Sequence, residues 1–241
     1  MRSQPIKQIV MITLAGCLTA GLLGCQPTQP PPIGYYASEP YEFLPIKTVT
    51  FIGLDADEKL KLQISDMTVA LFQAIQARKL FKFDLIPVDD DLCKDLDLEN
   101  RGALTIEQLG LMRQVLGTDA VLFGRIENYQ PFPRMQLGLT LRLLDLKNGK
   151  LLWGVDHTWN TADQRLEYRI QSYYYDELRS GYGPVEWRLA LVSPKAFFRF
   201  VAFETAETLP TKEMTEEAKT DQQRKVTRNT WRIFRETVEK L

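Results

Sequence analysis

The sequence predicts an α+β domain. It reads as a largely antiparallel, twisted sheet of about five strands with helices packed on one face, plus an inserted β-arm or helix and a C-terminal helix. Three observations carry this reading. Short β-branched and apolar runs are each followed by a helical pattern with a capping signal. Residues 135–159, MQLGLTLRLLDLKNGKLLWGVDHTW, alternate in hydropathy around a single Asn148-Gly149. Residues 46–209 have the size and apolar content of one domain, whereas the chain turns almost wholly polar from Thr211.

Taken in order, Ile46 to Ile52 is a strand centred on Thr48-Val49-Thr50. Asp55 and Glu58 form a capping box for a helix running to about Arg78, with Leu60, Ile64, Met67, Leu71 and Ile75 on one face. Leu80 to Val88 is a second strand, and Pro87 places it near an edge. Thr105 and Gln108 cap a second helix that stops at Gly117. Ala120 to Tyr129 is a third strand, ended by Pro131 and Pro133. In the hairpin that follows, a two-residue turn would mix polar and apolar residues on each face. A three-residue loop with Gly149 in a left-handed bulge position instead pairs Leu143 with Trp153, Leu141 with Val155, Leu139 with His157 and Leu137 with Trp159. That register gives one apolar face for the helices to cover. Ser193-Pro194 opens a last domain helix with Phe197, Phe198 and Val201 turned inward.

The first 24 residues read as a lipoprotein signal peptide: Arg2 and Lys7, an apolar stretch from Ile9 to Leu23, and a small-residue site. Both Leu14-Ala15-Gly16-Cys17 and Leu22-Leu23-Gly24-Cys25 have the lipobox pattern. Cleavage before Cys25 uses the whole apolar stretch and exposes a polar segment, so Cys25 is the expected lipid-attachment residue, with diacylglycerol and palmitate as the expected acyl groups. Cys93 then remains alone, and no intrachain disulfide can form. Residues 25–45, with six prolines between Pro27 and Pro45, read as an extended tether. Losing Arg2 and Lys7 takes the formal charge from -1 to -3, which gives no electrostatic footprint for nucleic acid.

VLGTDAVLFGRIENY, where a helix ends at glycine and a strand begins, and the hairpin LRLLDLKNGKLLW resemble the periplasmic fold shared by CsgG-type curli-export lipoproteins and the TolB amino-terminal domain. LpoB-type activators of peptidoglycan synthases are similar. The resemblance covers about residues 46–160 and resumes near 194–209. It implies a non-enzymatic envelope adaptor or assembly factor whose partners are envelope proteins or further copies of itself. The runner-up is a subunit of an oligomeric CsgG-like secretion channel. Gln26, by resemblance to Gram-negative lipoproteins, favours the periplasmic face of the outer membrane over retention at the inner one.

Chemistry-bearing patterns are sparse. His157, the one histidine, falls beside Leu139 on the apolar face and reads as structural. No phosphate loop, metal-ligand spacing or nucleophile elbow occurs, so no catalytic residue, cofactor or metal is assigned. The acidic run 89–100, DDDLCKDLDLEN, lacks EF-hand spacing and reads as a solvated loop. Residues 164–192 are the candidate interaction segment. Leu166, Tyr168 and Ile170 alternate with charged residues, as do Val185, Trp187, Leu189 and Leu191, which fits a membrane hairpin, a soluble β-arm or a short amphipathic helix, with the soluble forms preferred. Tyr168, Ile170, Tyr173, Tyr174, Trp187 and Leu189 are its expected contact residues. In the tail, residues 210–241, a thin apolar stripe includes Trp231 and Phe234. Its charges are mixed, eight basic against six acidic from Thr211, so docking on protein is preferred to a membrane-surface helix.

Overall fold

A computed structural model describes residues 32–56, 60–87, 105–179 and 187–238, without the side chains of 61, 62, 106, 177–179, 226 and 229–238. Cys17, Cys25, Cys93, Glu58, the acidic run 89–100 and the expected arm turn at 180–186 lie outside the described residues. The elements are β1 (Tyr35–Ala37), β2 (Thr48–Asp55), α1 (Lys61–Ala77), β3 (Lys82–Ile86), α2 (Ile106–Leu116), β4 (Ala120–Gln130), β5 (Gln136–Asp145), β6 (Leu151–Asn160), α3 (Gln164–Arg179), α4 (Pro194–Glu207) and α5 (Lys212–Val238). Short 3-10 turns occupy Pro40–Phe43 and Trp187–Leu191. The strands form one sheet in the order β1-β6-β5-β4-β2-β3.

The α+β class is the expected one, and the sheet is mixed. β2 pairs in parallel with β3 and with β4, and the remaining junctions are antiparallel. Parallel neighbours need crossover connections, which α1 and α2 supply. The chain goes outward from β2 to β3, then back past β2 to β4. Two crossovers of the same hand running in opposite directions lie on opposite faces of a sheet. So α1 packs with α3 and α4 on the front face, while α2 packs on the reverse face. There Leu109 and Met112 meet Ile52, Val121, Phe123 and Leu146. The expectation that all helices share one face is corrected for α2.

The hairpin register is the expected one. Leu137, Leu139, Leu141 and Leu143 lie opposite Trp159, His157, Val155 and Trp153, and Gly149 has φ +70°. A side chain at Gly149 would also meet Leu109 Cδ1 at 2.9 Å, so conformation and space both call for glycine. The Thr105 capping box is present: Thr105 Oγ1 accepts the Gln108 N–H at 3.2 Å, and Gln108 Oε1 accepts the Thr105 N–H at 2.9 Å. Gly117 closes α2 at φ +60°. The Asp55 capping expectation is corrected. Asp55 ends β2, where it pairs with Arg125 of β4, and α1 begins at Lys61 without a side-chain cap. Pairing across the sheet carried β2 past the point where the cap was expected.

A second correction concerns the tether. From Pro32 the chain is already part of the domain. Ile33, Phe43 and Ile46 are buried in the main core, β1 pairs with β6, and Glu42 is ion-paired with Lys150. Without β1, the strand holding Trp153 and Val155 would be the sheet edge. Three residues between prolines suffice as an edge strand, because an edge tolerates proline.

At 164–192 the helical alternative is the one formed among the described residues, and the β-arm and membrane-hairpin alternatives are corrected. Residues 164–179 form α3, and Trp187–Leu191 form a 3-10 turn. Asp163 Oδ1 accepts the Arg165 N–H at 2.9 Å, an N-cap that the alternating pattern concealed. Leu166, Ile170 and Tyr174, four residues apart, are all buried, so the 3.6-residue period prevails over the period of two. The two-strand arm on which the channel reading depended is therefore replaced by a helix.

Candidate functional site

The site is built around α3 and its seams with β6 and α4. Both core tryptophans of β6 donate their indole N–H into α4 or its end: Trp153 Nε1 to Thr208 Oγ1 at 2.9 Å, and Trp159 Nε1 to Glu204 Oε2 at 2.7 Å. Glu204, only 5% exposed, also accepts from Arg169 Nε at 2.6 Å and Nη2 at 3.2 Å. One carboxylate thus ties β6, α3 and α4 together, and its burial is compensated on both oxygens. Sequence reading missed this pair. The signal was a lone acid inside the apolar run FVAFETA, which needs a buried cation and donor.

His157 lies next to this network, its ring edge-on to Trp159 at 4.8 Å, and its Nδ1 faces the Gly34 N–H at 3.4 Å. Burial and then the Arg169 charge lower its pKa, so the neutral imidazole is favoured, as fits the expected structural role. A cleft of about 530 Å³ opens beside it, with Asn160, Asp163, Arg165, Tyr168 and Arg169 among its lining. On the other side of α3 a groove of about 430 Å³ runs between α1 and α4, lined by Ala70, Ala74, Ala77, Tyr173, Arg199 and Phe203. Among the described residues no group of three His, Cys, Asp or Glu side chains is placed to hold a metal, and no helix is long and apolar enough to cross a membrane.

The expected contact residues divide by depth. Ile170 and Tyr174 belong to the core, and Tyr174 donates its hydroxyl to the Ala196 carbonyl at 2.7 Å, so these two are corrected from contact to packing residues. Tyr173 is half-buried, its ring 4.6 Å from that of Phe203. Trp187 is half-buried beneath the Arg188 guanidinium at 4.8 Å. Tyr168 and Leu189 are 70% and 46% exposed. Tyr175, two turns after Tyr168 on the same strip of α3, is 54% exposed, and sequence reading did not single it out. Trp231 and Phe234 are on the helical backbone of α5, with side chains outside the described residues.

No family model matches the chain, and no curated protein matches it. Solved structures do. The lipoprotein GNA1162 from Neisseria meningitidis is 18% identical over 56% of this chain and 99% of its own, with a TM-score of 0.36. The PelC dodecamer from Paraburkholderia phytofirmans is 13% identical over 52% of this chain and 75% of its own, at 0.35. LpoB from E. coli is 15% identical over 58% of this chain and 78% of its own, at 0.31. TolB from Acinetobacter baumannii, at 10% identity, is also among them. LpoB and TolB are two of the proteins the sequence motifs resemble.

Proposed function

We propose that the chain is a lipoprotein anchored through Cys25 at the periplasmic face of the outer membrane, and that its domain is a non-enzymatic adaptor or assembly factor for envelope proteins. The observation that carries the adaptor reading is the outer strip of α3. Tyr168 and Tyr175 stand in solvent on a helix whose opposite strip is locked into the core, with exposed Leu189 and Val192 nearby in sequence. Aromatic side chains on a rigid element are the residue types that anchor protein interfaces. The buried Glu204 network supports this role by fixing α3 in place.

Metabolic labelling with a fatty acid tests the anchor. Label is expected to disappear in Cys25→Ala; label that persists there and vanishes in Cys17→Ala overturns the assignment. A photo-crosslinking residue placed at 168, 175 or 189 in living envelopes tests the adaptor. One discrete partner is expected at these sites and none at Arg142, which is exposed elsewhere. Recovery of monomer alone, or an activity abolished by His157→Ala, overturns it.

A further inference from the structure

Among the described side chains of α5, those at its start are the ones packed on the domain. Thr211 Oγ1 accepts the Met214 N–H at 3.2 Å, Thr215 is buried, and the first turns lie against Pro40–Phe43. From Glu216 to Lys225 the side chains are exposed, with Ala218 half-exposed. The helix has 27 residues and so is about 40 Å long.

Charge is segregated along it. Glu213, Glu216, Glu217 and Asp221 outnumber Lys212 and Lys219 in the first part. Arg224, Lys225, Arg228, Arg232 and Arg235 follow, offset before Val238 by Glu236 alone. At about 100° per residue, the five basic positions occupy roughly 100° of the circumference. Val226, Trp231, Ile233, Phe234 and Val238 share the other side, within roughly 160°. Counting the tail as a whole, eight charges against six, conceals both patterns. A cationic strip opposite an aromatic-bearing apolar strip, with low mean hydropathy, is the composition of a helix that lies in the interface of an anionic bilayer. The groove between α1 and α4 on a second copy fits it less well, because Arg199 in its lining has the same sign as the helix and Glu207 there is already paired with Arg78.

We propose that residues 222–238 of α5 are a second membrane contact, lying along an anionic phospholipid surface with the basic strip at the phosphates and the apolar strip at the acyl boundary. This rests on the Cys25 reading for proximity only. Pro32 follows Cys25 by seven residues, a contour of at most about 25 Å, and α5 is longer than that.

The test uses the lipidated full-length protein in a Cys93→Ala background, reconstituted into vesicles of phosphatidylcholine alone or with one quarter phosphatidylglycerol. An environment-sensitive fluorophore is attached at Phe234→Cys or, as a control, at Thr220→Cys. Mass analysis of the same sample reports the lipid on Cys25, so a missing anchor and a non-binding tail are told apart. The expected result is a blue shift and several-fold brightening at 234 on the anionic vesicles only, reversed by salt, with 220 unchanged. Each basic residue at such a surface strengthens contact about fivefold, so Arg228→Gln/Arg232→Gln/Arg235→Gln should lower the inserted-to-free ratio on the order of a hundredfold. Equal signals on both vesicle types overturn the proposal. So does a signal at 234 that vanishes when the protein is diluted across more vesicles, which assigns the helix to a second copy.

Discussion

Under α1, α3 and α4 the sheet buries Trp153, Trp159, Phe51 and the inward leucines of β5, and with them the Glu204 carboxylate. On the reverse face α2 covers Ile52, Val121, Phe123 and Leu146 with Ile86 and Leu144 at the margin, while further across Arg142 and Asp156 are exposed. Every strand serves both faces by alternation, so the contrast comes from the connections. Among the described helices α1, α3 and α4 lie on the front and α2 on the back. The front can therefore bury a charge and hold α3 in one place; the back is a crossover with a small core and an open polar sheet.

The sharpest way to break this contrast is to remove the buried carboxylate. Glu204→Ala leaves the half-buried Arg169 and the buried Trp159 indole N–H without their partner and is expected to cost about 3 kcal/mol in urea unfolding. Glu204→Leu combined with Arg169→Met should recover most of that loss. A cost below about 1 kcal/mol for Glu204→Ala would show that the front face is not closed around this group. Core truncations compare the faces directly. Phe197→Ala in front is expected to lose about 3–5 kcal/mol, and Met112→Ala behind, in the smaller cluster, about 2–3 kcal/mol. The reverse order would locate the main stabilising core under α2.

A smaller effect is expected where β2 enters the sheet. Asp119 accepts from the Lys47 and Thr48 N–H groups at 2.9 and 3.0 Å and from the Thr48 hydroxyl at 3.1 Å. Its partial burial acts to raise the pKa, but these hydrogen bonds outweigh it, and the pKa falls below 3.8. The unfolded carboxylate therefore protonates first as pH drops, and the stabilisation, present above 3.8, is lost as pH falls through the folded value. Asp119→Ala should cost about 2 kcal/mol at pH 7 and progressively less in acid, followed by urea midpoints. The smallest effect is at His157. Its folded pKa is below 6.5, so the unfolded chain takes up a proton that the fold resists. Stability then rises with pH up to about 7, and His157→Gln should flatten the unfolding midpoint between about pH 5 and 7. An unchanged slope would mean that the imidazole is solvated.

What could be read in advance was what local chemistry decides. The Thr105 box, the Gly117 stop and the Leu137–Trp159 register each depend on residues within a few positions or on one alternation. What could not was set by distant partners. Three residues at Tyr35–Ala37 are a strand only because β6 offers an edge. α2 crosses behind because the chain reverses direction at β3, which no property of α2 itself announces. In the candidate site, the aromatic residues of 164–192 stood out by composition, but the choice between β-arm and helix stayed open, and with it which residues, Ile170 and Tyr174 among them, turn into the core. Glu204 and Arg169 are 35 residues apart, and only the tertiary fold brings them together.

The two indole hydrogen bonds into α4 also have an optical meaning. Trp153 and Trp159 are fully buried, and each donates across the seam that holds the helix to the sheet. Trp187, half-buried beneath Arg188, belongs to the neighbouring turn. Lifting α4 would wet both buried indoles together, moving their emission to longer wavelength before the strands separate. The domain thus contains its own fluorescent gauge of whether the platform beneath α3 is seated, and it can be read without adding a label.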